Sequence, residues 1–237
     1  MTVDYSVRRS TRARRPRVTL SEDGEVVVVL PARAPEQLAG ELVRRHARWI
    51  DRHQRRLLDA RRILDARPPL GEGRTIPLRG LPHDVYVEAG PASARRATVD
   101  VEVHSPPSIV VRQAVADPRP LAQLIEAFLR REARRDLEQR VADRAREMAL
   151  TPTRVTVRDQ RSRWGSASRK GTLSFSWRLV LAPSEILDYV VVHELAHLRW
   201  TGHGVRFWTL VRRYAPAAEH HRRWLRQNEA RLRHALD

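Results

Sequence analysis

The 237-residue sequence contains no cysteine. Disulfides and thiolate ligands are therefore excluded, and any metal must be held by histidine or carboxylate. The same absence is in keeping with a reducing compartment. Lysine is almost missing as well: Lys170 is the only one, so nearly all the basic residues are arginine. No long apolar run exists. The longest, Val26 to Leu30, is far too short to span a bilayer. Residues 1–9 carry no apolar signal core. These absences together predict a soluble, cytoplasmic protein that does not enter a membrane.

What is abundant is positive charge, +17 net with a pI of about 11.5. Such a balance suits nucleic acid, anionic surfaces or phosphorylated substrates. A second source of the charge is visible, however. Arginine and alanine are common while lysine and isoleucine are scarce, the pattern that GC-rich coding DNA produces. Nucleic acid is therefore a candidate partner that the charge alone does not establish.

Along the chain, strands are predicted over 3–9 and 16–30, with a turn at Ser21-Glu22-Asp23-Gly24. Arg8, Arg9, Arg12, Arg14 and Arg15 lie on the rim of this first hairpin. A helix is predicted from Pro35 to about Ala66, its apolar stripe broken by arginines, and Pro68 to Gly73 forms a linker. Short strand-like runs at 75–79, 84–88, 98–103 and 109–112 predict a small antiparallel sheet. A second long helix runs from about Pro118 to Ala149, with Leu121, Leu124, Ile125, Phe128, Leu129, Leu137, Val141 and Met148 on its buried side. Strands at 153–158 and 171–177 follow, the second alternating so that Leu173, Phe175 and Trp177 share a face. Between them lies a polar, arginine-bearing segment from Arg161 to Arg169.

The most informative stretch comes next. In Val190-Val191-Val192-His193-Glu194-Leu195-Ala196-His197 two histidines stand four residues apart. On a helix they lie about 40° apart around the axis and about 6 Å along it, so both imidazoles reach one ion from one face. Glu194 sits about 100° from the first ligand, placed to hold a water and take its proton rather than to ligate. This is the His-Glu-x-x-His arrangement of zinc hydrolases. A catalytic zinc takes three protein ligands and keeps one position open. His203 is the expected third, swung back by a helix stop at Thr201 and a tight turn at Gly202. The apolar residues around His193 describe a buried helix, where two imidazoles and a carboxylate need partners that a metal supplies. Helices at about 205–214 and 217–235 close the chain. Tyr214 and His220 lie near enough in sequence to be considered for stabilising an oxyanion.

Arg163-Trp164-Gly165-Ser166, Trp177-Arg178-Leu179, Ala182-Pro183, Tyr189 to Leu198, His203 and Phe207-Trp208 together resemble the YgjP-type metallopeptidase family. The resemblance also takes in the basic segment at Ser10 to Arg14 and Trp49-Ile50. It implies an α+β fold with a zincin-like core, in which an antiparallel or mixed sheet accompanies the metal-binding helix, preceded by a β-rich N-terminal region and long helices. It divides the chain into a β-rich region with a long helix over 1–115 and a zincin-like metallohydrolase domain over 116–237. It also implies one Zn2+ per chain on His193, His197 and His203, with Glu194 as base. The SprT and WLM groups share the His-Glu-x-x-His helix and a later histidine. Two departures stand out: Ala167 where such proteins usually have cysteine, and Ser176 where asparagine is common.

The leading expectation is thus a zinc-dependent metallopeptidase acting on a peptide or protein substrate. The alternatives are a metal-dependent nucleotide phosphoanhydride hydrolase and a DNA-associated protease of the SprT or WLM kind. Arg161, Arg163, Ser166 and Arg169 are the expected substrate contacts. Arginine forks suit phosphates, but acidic residues such as Asp159 or a peptide carboxylate could equally occupy them. The strand at 171–177 is expected to pair with an extended substrate.

Overall fold

The computed structural model describes residues 3–21, 24–103, 105–160 and 163–237, with the side chains at 56, 60 and 63 left out. The chain forms two compact units, Met1–Arg67 and Pro68–Asp237. The boundary expected at 115/116 falls inside the second.

In the first unit, strands β1 (Tyr5–Ser10), β2 (Arg17–Leu20) and β3 (Val26–Pro31) form a sheet in the order β1-β3-β2, and helix α1 (Gln37–Asp65) follows. The valine-rich strand β3 is central. Val26, Val28 and Leu30 alternate onto the face that meets Ala39, Val43 and Ile50 of α1, strand period against helix period. The basic segment does not join a hairpin of β1 and β2. β1 pairs parallel with β3, and β2 pairs antiparallel with β3 on its other side. The most apolar strand takes the middle place because only there can both its faces and both its edges be covered. Of the predicted turn, residues 22 and 23 lie outside the described residues. Gly24 donates its amide to the Ser21 carbonyl at 3.1 Å.

The second unit opens with β4 (Thr75–Leu78), β5 (Leu81–Ala89), β6 (Thr98–Glu102) and β7 (Ser108–Gln113), ordered β4-β5-β7-β6. This sheet is mixed, not antiparallel: β5 and β7 run parallel. The chain passes over the place of β7, lays down β6 beyond it and returns by a hairpin, so β7 enters in the direction of β5. Helix α2 (Leu121–Glu147) buries Leu124, Ile125, Phe128, Leu129, Ala133, Leu137 and Val141 at helical spacing. These side chains share one core with Val99 of β6 and with Ile109 and Val111 of β7.

The third sheet, β8 (Arg154–Arg158), β9 (Gly165–Ala167) and β10 (Thr172–Ser176), is ordered β8-β10-β9. β10 pairs parallel with β8 and antiparallel with β9. A 3₁₀ turn over Trp177–Leu181 leads into α3 (Ser184–Arg199), followed by α4 (Val205–Tyr214) and α5 (Ala218–Arg233). Leu173, Phe175 and Trp177 are buried together as the alternation predicted. The fold is α+β, with a mixed sheet set beside a histidine-bearing helix.

Two contacts fix where α3 begins and how it lies. The tight β4–β5 turn docks on its start: the Arg79 amide donates to the Val180 carbonyl at 2.7 Å and the Gly80 amide to that of Leu181 at 3.2 Å. Gly80 has φ +80°, and a Cβ there would lie 2.8 Å from Pro183 Cγ, so only glycine fits. Along the helix, Arg144 of α2 grips Asp188 of α3 through two parallel bonds of 2.8 and 2.6 Å, the fork geometry that fixes orientation as well as distance. Among the described residues no helix is long and apolar enough to cross a membrane.

Candidate metal centre

Three consecutive valines disfavour a helix by losing side-chain rotamers. Here burial overrides propensity: Val190, Val191 and Val192 are all in the core, as are Leu195 and Ala196. The helix therefore presents His193 and His197 from a rigid, packed support. It stops at Arg199 because Trp200 adopts extended backbone, φ −133° and ψ 113°. That stop also orients a ring. The Trp200 carbonyl lies 3.0 Å from His197 Nδ1. A carbonyl only accepts, so Nδ1 carries the proton and Nε2 keeps its lone pair for a ligand. The return of His203, expected from a helix stop at Thr201 and a tight turn at Gly202, uses no left-handed backbone at that glycine. Among the described residues, Gly202 is not one of the glycines with positive φ, and the bend at Trp200 does the work.

The three imidazoles converge. One ligand atom from each of His193, His197 and His203 lies within 4.8 Å of the others. Nε2 of His193 and Nε2 of His203 are 3.3 Å apart. Two nitrogens about 2.0–2.1 Å from a shared tetrahedral centre stand about 3.3 Å from each other, so this spacing fits a single ion of zinc's size. Phe207, itself buried, backs all three rings, with centroids at 5.0, 4.6 and 4.8 Å from those of His193, His197 and His203. Protonation is suppressed at the centre of the cluster. Burial first, then the neighbouring His197, His203 and Arg222, push His193 down to about 3. His203 is lowered as well, by burial and then by His197 and Arg222. Neutral imidazoles with free lone pairs are what a metal requires.

Glu194 is 6% exposed. Burial pushes its carboxyl up to about 7, against the pull of the Arg163 charge. Its position is set from above by β9. A Cβ on Gly165 would come within 2.6 Å of Glu194 Cγ and 2.8 Å of Oε1. The strand can lie this close only because residue 165 has no side chain. Gly165 is visible in the sequence only as part of a polar, glycine-containing segment; its role as a wall for the carboxylate belongs to the tertiary fold.

A cavity of about 930 Å³ opens over the cluster. Arg163, Ser166 and Arg169, expected as substrate contacts, line it with Lys170; Arg161 lies outside the described residues. Among the described residues, Asp159 pairs with Arg178 and Arg130 and not with Arg163 or Arg169. Strand β10 cannot take an extended substrate, because β8 and β9 cover both its edges. The edge strand on the cavity is β9. Tyr214 is turned away, its hydroxyl donating to the Glu147 carbonyl at 3.0 Å, and neither it nor His220 lines the cavity. Two arginines that the sequence did not single out, Arg222 and Arg226 of α5, reach the far side of Glu194. Their spacing of four, one helical turn, is the signal that puts them on a common face.

A mixed sheet laid along a helix, with three converging imidazoles beside a buried carboxylate, defines the class: an α+β protein built around a candidate metal centre. A family model described as the YgjP-like metallopeptidase domain matches residues 14–228. The chain belongs to the YgjP-like metallopeptidase family, and membership supports hydrolase activity. Among solved structures, the metallopeptidase zymogen of Pyrococcus abyssi abylysin is similar over 39% of this chain and 95% of its own, with 22% identity and a TM-score of 0.34. No curated protein matches the sequence.

Proposed function

We propose that the chain is a zinc-dependent peptidase of the cytoplasm whose chemistry is carried by residues 116–237. His193, His197 and His203 would hold one Zn2+ per chain, and Glu194 would be the general base. The observation that carries this reading is the 3.3 Å approach of two imidazole nitrogens next to a third and to Glu194. When bound, zinc supplies a Lewis acid that lowers the pKa of water and polarises the carbonyl under attack.

Glu194 accepts a proton from the attacking water and returns it to the departing amine nitrogen. Its burial makes it a better base than an exposed carboxylate, because the charged form lacks solvent to stabilise it. Gly165 keeps the carboxylate from swinging toward β9. The exposed edge of β9 offers backbone groups with which an extended peptide can pair. His197 is held in register by the Trp200 carbonyl, and Phe207 keeps the three rings from rotating apart.

The test is to purify the protein, measure its metal content, and offer unfolded protein with and without chelator. Chelator-sensitive cleavage by zinc-loaded protein is expected, and the Glu194→Gln protein should keep zinc and lose cleavage. A variant that still cleaves at the wild-type rate removes Glu194 from the mechanism. Arg163, Arg169 and Lys170 over the cavity favour a second reading, hydrolysis of a nucleotide phosphoanhydride. Nucleoside triphosphates therefore belong in the same assay, where release of pyrophosphate or phosphate without peptide cleavage would replace the first reading. Cleavage seen only with added DNA would indicate the DNA-associated protease.

A further inference from the structure

On the α5 side of Glu194 lies a second, smaller hollow of about 270 Å³, lined in part by Arg163, Trp164, Tyr189, Arg222, Arg226 and Glu229, and reaching His193 and Glu194. Its charge is lopsided. None of Arg163, Arg222 and Arg226 has an ion pair among the described residues, although the chain is rich in such pairs elsewhere. Of the two carboxylates on its wall, Glu229 already accepts from Arg233 Nε at 3.0 Å, and the other is Glu194 itself. Arg222 is held beside the imidazole cluster by stacking on Trp208, 5.6 Å from its ring centroid, and Trp208 lies 5.9 Å from His193. Three arginines with no ion pair among the described residues thus line a space sized for one side chain and contiguous with the proposed base.

We infer that this hollow is a specificity subsite for a carboxylate, so that the enzyme selects peptides carrying a negative charge next to the bond it cuts. This rests on the peptidase reading above. The physical reasons are two. Guanidinium forks bind carboxylates through paired, charge-assisted bonds. The same charges repel a lysine or arginine at that place, so discrimination comes from both attraction and exclusion. The carboxylate can come from an internal Asp or Glu or from the C-terminus of the substrate. The first makes an endopeptidase for acidic sequences, the second an enzyme that trims chain ends.

The experiment uses zinc-loaded, full-length protein bearing Glu194→Gln to block turnover, titrated calorimetrically with two pairs of short peptides at low salt. One pair differs only by internal Glu against Gln, both C-terminally amidated. The other is neutral and differs only by a free or amidated C-terminus. The expected result is that the acid member of at least one pair binds about tenfold more tightly, the pair identifying the source, and that added salt erodes the difference. Adding Arg222→Gln and Arg226→Gln should bring the acid-to-amide ratio to about one. Adding Arg222→Lys and Arg226→Lys instead keeps the charge and should retain part of the preference, which a merely structural role would not predict. No preference in either pair, or a preference unchanged in the glutamine protein, overturns the inference. If the preference holds in binding while the wild-type protein cleaves none of the peptides, the subsite stands and the peptidase reading fails.

Discussion

Replacing Glu194 with glutamine should stabilise the metal-free protein at neutral and alkaline pH and leave it nearly unchanged in acid. The substitution keeps shape and volume and removes only the charge. In the folded protein the carboxyl is pushed from an ordinary 4.5 up to about 7, so the unfolded chain gives up this proton first. The sign follows from linkage. With a raised folded pKa, the contribution is fully present below about 4.5, is lost as the pH climbs toward 7, and stays lost beyond it. A shift of about 2.5 units at 1.36 kcal/mol per unit corresponds to about 3 kcal/mol. His193 works the other way, favouring the fold as its proton leaves, but it is present in both proteins and drops out of the difference. Urea unfolding in chelator, followed by tryptophan fluorescence, reports mainly on residues 68–237, where all the tryptophans but Trp49 lie. At a slope of about 2 kcal/mol per molar, the variant's midpoint should exceed the wild type's by about 1.5 M at pH 8 and by little at pH 4. An equal difference at both pH values would show that burial does not disfavour the Glu194 charge, and the account of its basicity would go with it.

Three further outcomes follow from the same geometry. Gly165→Ala forces Glu194 Cγ away from a Cβ at 2.6 Å. Hydrolysis should fall about 100-fold while zinc content and melting temperature change little, and full activity would show that the carboxylate has room to spare. His203→Ala removes an exposed ring, so the metal-free fold should melt as the wild type does, but added zinc should raise the melting temperature much less. Zinc affinity equal to wild type would exclude His203 as a ligand. Trp177→Ala empties a fully packed site under the 3₁₀ turn and α2 and should cost about 3–5 kcal/mol in urea unfolding; a cost below about 1 kcal/mol would mean that the core there collapses freely.

The elements that the sequence places well are those whose signal is periodic and local. The stripe of Leu124, Phe128, Leu137 and Val141 sets α2, and the alternation of Leu173 and Phe175 sets β10. The spacing of His193 and His197 needs only helix geometry to bring them together. The loop before His203 carries no such spacing signal, and its arrival within 3.3 Å of His193 is a tertiary fact, as is the reason for it, the extended backbone of Trp200. Strand pairing is not legible in the same way, since a strand's neighbours are chosen by burial and connection rather than by its own residues. That is why β1 and β5 each take a parallel partner, and why the strand most apolar on one face, β10, ends in the middle of its sheet rather than free for substrate.

By itself, then, the sequence determined the chemistry: no thiols, a histidine pair with a carboxylate between, and enough apolar surface at regular intervals to bury the helix that carries them. Only the tertiary structure decided which face of Glu194 is walled by a glycine, which strand keeps an open edge, and which of the many arginines stand unpaired at the site. The physical reason is range. Periodicity acts within a few residues, whereas the surroundings of a charge are made by segments far apart in sequence: the spacing of Arg222 and Arg226 puts those two on one helix face, but in a chain with 45 basic residues nothing local brings that face to Arg163.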